Sequence, residues 1–160
     1  MKTGAGYGTE AAVGARLRRL SELLERDAGR LYDDAGVVFE QRWFGVLNQL
    51  ALRGPATVSE LAKALRITHA SVSQTRRSLE LAGLVVSKPD TQDRRKRHLR
   101  MSRKGRALWS RLTAVWDALE VVARQLDKEA GGVIAALDRF DAALQRSSLY
   151  DRATELISRD

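Results

Sequence analysis

The residues best suited to chemistry with a partner lie between positions 68 and 106. Ser71, Ser73, Gln74 and Arg77 fall on one side of a short helical segment that carries few acids. Serine and glutamine can exchange hydrogen bonds with base edges, and arginine can pair bidentately with guanine. Lys88, Arg94, Arg95, Lys96, Arg97, Arg100, Arg103, Lys104 and Arg106 follow closely, against only Asp90 and Asp93. A groove-sized helix beside a cluster of cations is what duplex DNA requires: a probe for base edges and charges for phosphates. Other chemistries find little support. No nucleophile–base constellation occurs. Gly4, Gly6 and Gly8 have dinucleotide-loop spacing but follow no strand. His69 and His98 lack carboxylate partners at ligand spacing. The chain has no cysteine, which excludes disulfide, thiol-redox and cysteine–zinc chemistry. The sequence therefore predicts no enzyme, no cofactor and no metal.

Composition bounds the frame for these residues. A chain of 160 residues fits one domain, or one compact unit with helical extensions. It is 44% apolar, which is ample for a core, and with 2 prolines and 6% aromatics it favours helix. The net charge of +8 and the pI near 10.4 suggest a polyanionic partner. Basic ribosomal and membrane-surface proteins would share those values. The charge is uneven, however: from Asp117 onward acids outnumber bases. No apolar run is long enough to span a bilayer. The N-terminal stretch MKTGAGYGTEAAVGARLRR lacks the apolar core of a secretory signal. A cytoplasmic protein with no membrane partner is expected.

The elements that must position the polar residues can be read from periodicity. Val13, Leu17, Leu20 and Leu24 predict a helix over residues 9–26, closed by Asp27-Ala28-Gly29. Phe39, Trp43, Val46, Leu47 and Leu50 predict a second over 33–52, stopped by Gly54-Pro55. Thr57 and Glu60 form a capping box that opens a third helix, with Leu61, Ala62 and Leu65 inward. Arg66-Ile67 is a turn. Thr68 caps a fourth helix, 69–82, ended by Gly83. Its inward positions are Val72, Thr75 and Leu79, which leaves Ser71, Ser73, Gln74 and Arg77 opposite. Strands are expected at 84–88, with Leu84 and Val86 on one face, and at 97–102, with Leu99 and Met101 on one face. The segment 89–96 is a charged turn between them. Ser102 caps a long helix to residue 128. Its apolar residues repeat roughly every 3.5 positions, the spacing of helices packed on helices. Gly131-Gly132 breaks it. Further helices carry Val133, Leu137, Phe140 and Leu144, and residues 150–157.

This order resembles the MarR family of winged helix-turn-helix regulators. The matching pieces are TVSELAKAL from Thr57, THASVSQTRRSLE from Thr68, AGLV from Ala82, Asp93-Arg94-Arg95 and LRMSRKG from Leu99. By motif the resemblance covers residues 33–108, and by helix order the whole chain. It implies a mostly α fold with a small two- to three-stranded β-ribbon. The chain would be one MarR-like unit over 1–160, with a winged-helix lobe at 33–108 and dimerisation helices at 9–28 and 109–158. It further implies a homodimer on a near-palindromic operator, often relieved by a small aromatic or anionic ligand. In the family, the aspartate of the wing tip helps orient an arginine that enters the minor groove. Narrow minor grooves attract arginine electrostatically. Arg95 is the first residue expected in that role and Arg94 the second. Two departures stand out. Arg76 falls where the family has an apolar residue, so it either snorkels to a phosphate or the helix phase is off by one. His69 sits where the family often has proline.

The resulting expectations are specific. Thr68, His69, Ser71, Ser73, Gln74, Arg76, Arg77, Asp93, Arg94, Arg95, Lys96 and Arg97 form the double-stranded DNA contact set. A charge run is usually a solvated surface loop, and the wing reading rests on its position directly after the helix. Tyr32, Phe39, Trp43, Phe44, Trp109 and Trp116 are candidates for an effector pocket, with Trp43 and Trp109 the leading pair. Aromatics at helical spacing are more often core or dimer interface. A winged-helix protein–protein module and a non-specific nucleic-acid binder are the alternative functions.

Overall fold

A computed structural model describes residues 13–89 and 97–158. The elements run α1 (Val13–Asp34), α2 (Gln41–Arg53), β1 (Ala56–Thr57), α3 (Val58–Leu65), α4 (His69–Leu81), β2 (Val85–Pro89), β3 (Arg97–Met101), α5 (Arg103–Glu129), α6 (Val133–Arg146) and α7 (Leu149–Ile157). They fall into two compact units, residues 1–115 and 116–160. The fold class is the expected one: mostly helical, with a small antiparallel sheet in the order β1-β3-β2.

The core of the first unit joins α2, α3, α4 and the ribbon. Trp43, Val46, Leu47, Leu50, Leu61, Ala62, Val72, Leu79, Leu84, Val85 and Leu99 form one buried cluster. Burial of aliphatic and aromatic surface of this kind is the main stabilising term of the unit. Thr57 opens α3 as predicted. Its hydroxyl accepts from the Glu60 N–H at 3.2 Å, and the Glu60 carboxylate accepts from the Thr57 N–H at 2.7 Å. Thr57 also belongs to β1, whose pairing of Ala56 with Leu99 makes the sheet three-stranded, within the expected two to three.

Four helix ends share one device. At Gly36, Arg66, Gly83 and Gly131 the backbone turns left-handed. The next residue's N–H then reaches five positions back: Val37 to Tyr32, Ile67 to Ala62, Leu84 to Leu79, Gly132 to Asp127. This is the Schellman closure, which works best when the residue after the turn is apolar and buried. It explains two departures from expectation. The first helix does not close at Asp27-Ala28-Gly29 but runs on to Asp34. Gly29 is followed by Arg30, whereas Gly36 is followed by Val37, which is 5% exposed. Burial of Ala28 and Tyr32 keeps the interior glycine helical despite its cost of about 1 kcal/mol relative to alanine. The second helix accordingly starts at Gln41 rather than at residue 33. The strand after α4 is also re-phased. Leu84 belongs to the Schellman turn, so alternation starts at Val85. Leu84 and Val85 are both buried, and Val86 faces out.

The turn from α4 into β2 is gripped by the start of α5. Three successive carbonyls are taken. The Lys104 ammonium donates to the Ala82 carbonyl at 2.7 Å. The Ser102 hydroxyl donates to the Gly83 carbonyl at 2.6 Å, and the Ser102 N–H to the Leu84 carbonyl at 2.9 Å. The same hydroxyl accepts from the Gly105 N–H at 2.9 Å, the cap predicted for this helix.

In the second unit, Gly131 and Gly132 break α5 from α6 as expected. The Asp127 carboxylate accepts from the Ile134 N–H at 2.7 Å. Arg152 of α7 donates to the Ala143 and Ser147 carbonyls that end α6, each at 2.9 Å. No residue of α6 or α7 is buried.

Gly105 seats α5 against the turn. A Cβ at that position would lie 2.0 Å from the Leu84 carbonyl oxygen, and backbone cannot move aside cheaply. Gly105→Ala should therefore destabilise the chain by about 1–3 kcal/mol through overpacking. Urea unfolding measures this. A midpoint equal to that of the parent would mean that α5 is free to slide off the turn.

Candidate nucleic-acid interface

The fourth helix presents the expected face. Val72, Thr75 and Leu79 are buried, so the predicted phase is right. Ser71, Gln74 and Arg77 are exposed and Ser73 is half-buried. Thr68 caps the helix. Its hydroxyl accepts from the Ser71 N–H at 3.1 Å and lies 2.9 Å from the Ser71 hydroxyl. His69 is the first helical residue and is exposed. Ala70, not singled out from the sequence, is exposed beside it and leaves the helix start slim.

Arg76 takes a third course beyond the two foreseen. It pairs with Glu80 at 3.1 Å, one turn along α4. Glu80 also accepts from the Ser87 hydroxyl of β2. The arginine thus belongs to a polar brace between helix and ribbon, and both pair members are about two-thirds or more buried.

The ribbon pairs from Val85↔Met101 to Pro89↔Arg97. Arg97 is exposed, with a guanidinium N–H 3.5 Å from the Ser87 carbonyl. Asp93, Arg94, Arg95 and Lys96 lie outside the described residues. So the structure brings helix face and ribbon together, with Arg97 its described member of the expected wing set.

This geometry finds its counterpart in known proteins. The family model described as MarR matches residues 39–96, which span α2 to the ribbon. The segment 39–96 is thus similar to the MarR family. A MarR family regulator from Neisseria meningitidis, NMB1585, is 24% identical, with 88% of this chain and 96% of that one covered at a TM-score of 0.62. MepR of S. aureus, solved as a DNA complex, is 22% identical, with 82% and 98% covered at 0.69. BpsR of Bordetella bronchiseptica is 23% identical, with 86% and 98% covered at 0.67; its structure concerns regulation of DNA binding by 6-hydroxynicotinic acid. At these identities the likeness establishes the fold. No curated protein matches the chain.

The candidate effector aromatics make several ring contacts. Tyr32, Phe39 and Trp43 make a chain of ring contacts, at 4.7 Å and 5.7 Å between centroids. Phe44 instead stacks on Trp109 at 6.2 Å. Trp116 belongs to the second unit. A cavity of about 500 Å³ does exist in the first unit, and of the six aromatics only Trp43 lines it. Its walls include Val37, Val38, Leu84 and Leu108, with Lys104 and Arg111 as its cations. Neither cation was singled out for such a site. Their signal is tertiary: Arg111 donates to the Ala35 and Gly36 carbonyls at 2.7 and 3.3 Å, far away in sequence. Among the described residues no group of His, Cys, Asp or Glu could hold a metal ion.

Trp43 ties this wall to the recognition face. Its indole N–H donates to the Ser78 hydroxyl of α4 at 2.9 Å, and Ser78 donates to Glu40 at 3.1 Å. Arg42 completes the group, 2.5 Å from Glu40. Ser78→Ala would leave a buried indole donor unpaired and should cost about 1–3 kcal/mol. A thermal melt checks it. An unshifted melting temperature would mean that the indole finds water, and that α2 is held on α4 by packing alone.

Proposed function

We propose that the chain is a sequence-specific double-stranded DNA-binding transcription regulator, a ligand-responsive repressor acting as a homodimer on a near-palindromic operator. The observation that carries this reading is the exposed polar face of α4, phased against a buried Val72–Thr75–Leu79 stripe and followed directly by the basic ribbon. Small polar residues at the helix start let it sit deep in a major groove. Gln74 and Arg77 lie one turn apart and reach base edges, with Ser71, Ser73, Thr68 and His69 around them. The wing residues Asp93, Arg94, Arg95, Lys96 and Arg97 grip the flank, and Arg76 stays with Glu80 as a brace. The lobe at 33–108 reads DNA and the helices at 9–28 and 109–158 dimerise. Two recognition helices then enter successive major grooves roughly 34 Å apart. The protein acts in the cytoplasm. No helix among the described residues is long and apolar enough to cross a membrane.

Exposed apolar stripes support the dimer. Val13, Leu17, Leu20, Leu24 and Leu31 are exposed on α1, as are Ile134, Leu137, Phe140 and Leu144 on α6. Contiguous apolar patches of this kind mark interfaces. A second copy of the chain supplies the same stripes in return, as a two-fold interface requires. Sedimentation at micromolar concentration should give about twice the 17.8 kDa chain mass. A monomer would remove both the dimer and the palindrome.

A small aromatic or anionic effector is supported by the cavity beside Trp43. Its volume is within the range of small-molecule sites, and its apolar walls carry Lys104 and Arg111. BpsR, whose DNA binding is regulated by 6-hydroxynicotinic acid, is a structural relative that fits this chemistry.

The test of the reading face is a titration of operator against scrambled duplex. Gln74→Ala and Arg77→Ala should each cost on the order of 1–3 kcal/mol on the operator and much less on scrambled DNA. Arg95→Ala should lower the salt slope by about one unit per site as well. Equal losses on both duplexes would make the chain a non-specific binder. No salt-sensitive duplex binding at all would leave a protein–protein module.

A further inference from the structure

We infer that Lys104 couples an anion in the Trp43 cavity to the recognition helix, because the ammonium that caps α4 is also a cation of the cavity wall. This rests on the effector reading of that cavity and names its means of regulation. Lys104 donates to the Ala82 carbonyl, and Ala82, Leu84 and Lys104 all line the cavity. The grip on the α4–β2 turn and the ligand site therefore share one charge.

The two cations of the wall are tied differently. Arg111 meets the end of α1 through Nη2 alone. Its planar fork keeps its other N–H groups for a ligand carboxylate. It can hold an anion without releasing α1. Lys104 is a point charge on a flexible stem, and its protein partner is one neutral carbonyl. A carboxylate is the stronger acceptor, since the bond is then charged on both sides. An anion whose apolar body rests on Trp43, Val37 and Leu108 draws the ammonium toward itself and away from Ala82. The carbonyl that ends α4 loses its partner. The two Ser102 bonds remain, so the turn loosens without unravelling. Gly83 and Leu84 sit on this turn, between the helix that reads and the strand that leads into the wing. A looser turn presents these two elements in less fixed register.

Linkage sets the sign. The ligand weakens DNA binding only by its preference for the state in which Lys104 has left Ala82, and DNA weakens ligand binding by the same factor. A neutral ligand of the same shape has no such preference.

Benzoate and its neutral isostere benzamide are the probes. Wild type, Lys104→Met and Lys104→Arg are compared by three readouts: the Trp43 indole N–H resonance, amide exchange at Gly83 and Leu84, and operator affinity. In wild type, benzoate should shift the indole resonance, speed exchange at Gly83 and Leu84, and weaken operator binding at least about fivefold. Benzamide should do none of these. K104M should show the fast exchange already without ligand. Benzoate should still shift its indole resonance, through Arg111, but add no further exchange and no further loss of operator affinity. K104R keeps a donor for Ala82 and should respond as wild type does. If K104M lost operator affinity to benzoate as wild type does, Lys104 would not be the coupler, and the effector reading would stand. If benzoate left the wild-type indole resonance unmoved, the anion reading of the cavity and the coupling would both fall.

Discussion

The hold of α5 on the turn between α4 and β2 is the constraint on which the rest of the first unit depends. A helix that must enter a groove needs a fixed direction, and a helix C-terminus leaves carbonyls that pairing must satisfy. Here the Schellman closure takes two of them inside α4. Lys104 and Ser102 take the Ala82, Gly83 and Leu84 carbonyls beyond it. The lack of a side chain at Gly105 lets α5 come close enough to do so. Basic residues at this point also suit the negative end of the α4 dipole. The turn is therefore satisfied and held from α5, and the strand begins one residue later.

The polar face of α4 gains its meaning from what its other side does. Val72, Thr75 and Leu79 enter the core, and three braces fix the helix laterally. Ser78 takes the Trp43 indole from α2. Glu80 joins Arg76 on its own helix to Ser87 on the ribbon. Thr68 caps the start. None of these uses Gln74 or Arg77, which leaves those two side chains to meet a partner. A surface arginine on a helix is ordinary. An exposed arginine on a helix whose neighbouring Arg76, Ser78 and Glu80 are all engaged in bracing is a better candidate for recognition.

Much of this was legible in the chain. The T-x-x-E box, the phase of α4, the Ser102 cap and the Gly131-Gly132 break are local signals, settled within four or five residues of sequence, and the structure bears them out. The misread elements are those where a local signal needs a tertiary partner. Gly29 and Gly36 are equal as glycines, but only the second is followed by an apolar residue that finds a core. Val85 and Val86 are equal as strand formers, and only the turn before them decides which faces inward. The candidate effector residues depend on tertiary partners in the same way. Aromatic spacing identifies a helix face, not the neighbour that the face meets. Trp43 reaches the cavity, while Phe44, next in sequence, stacks on Trp109 elsewhere.

The distribution of charge follows from the same division of labour. The first unit carries all of the basic excess, and acids outnumber bases from Asp117 onward. Phosphate attraction is long-ranged and acts on the whole surface. A uniformly basic protein would bind duplex DNA with any of its faces and hide its reading helix from most encounters. Confining the excess to the ribbon and to the start of α5 orients the approach. The second unit is net acidic, and phosphates would repel it. Its apolar residues on α6 and α7 are exposed, and such surface gains nothing from a polyanion. The residues that carry positive charge at the start of α5, Lys104 above all, are also the ones that hold the α4 end in direction.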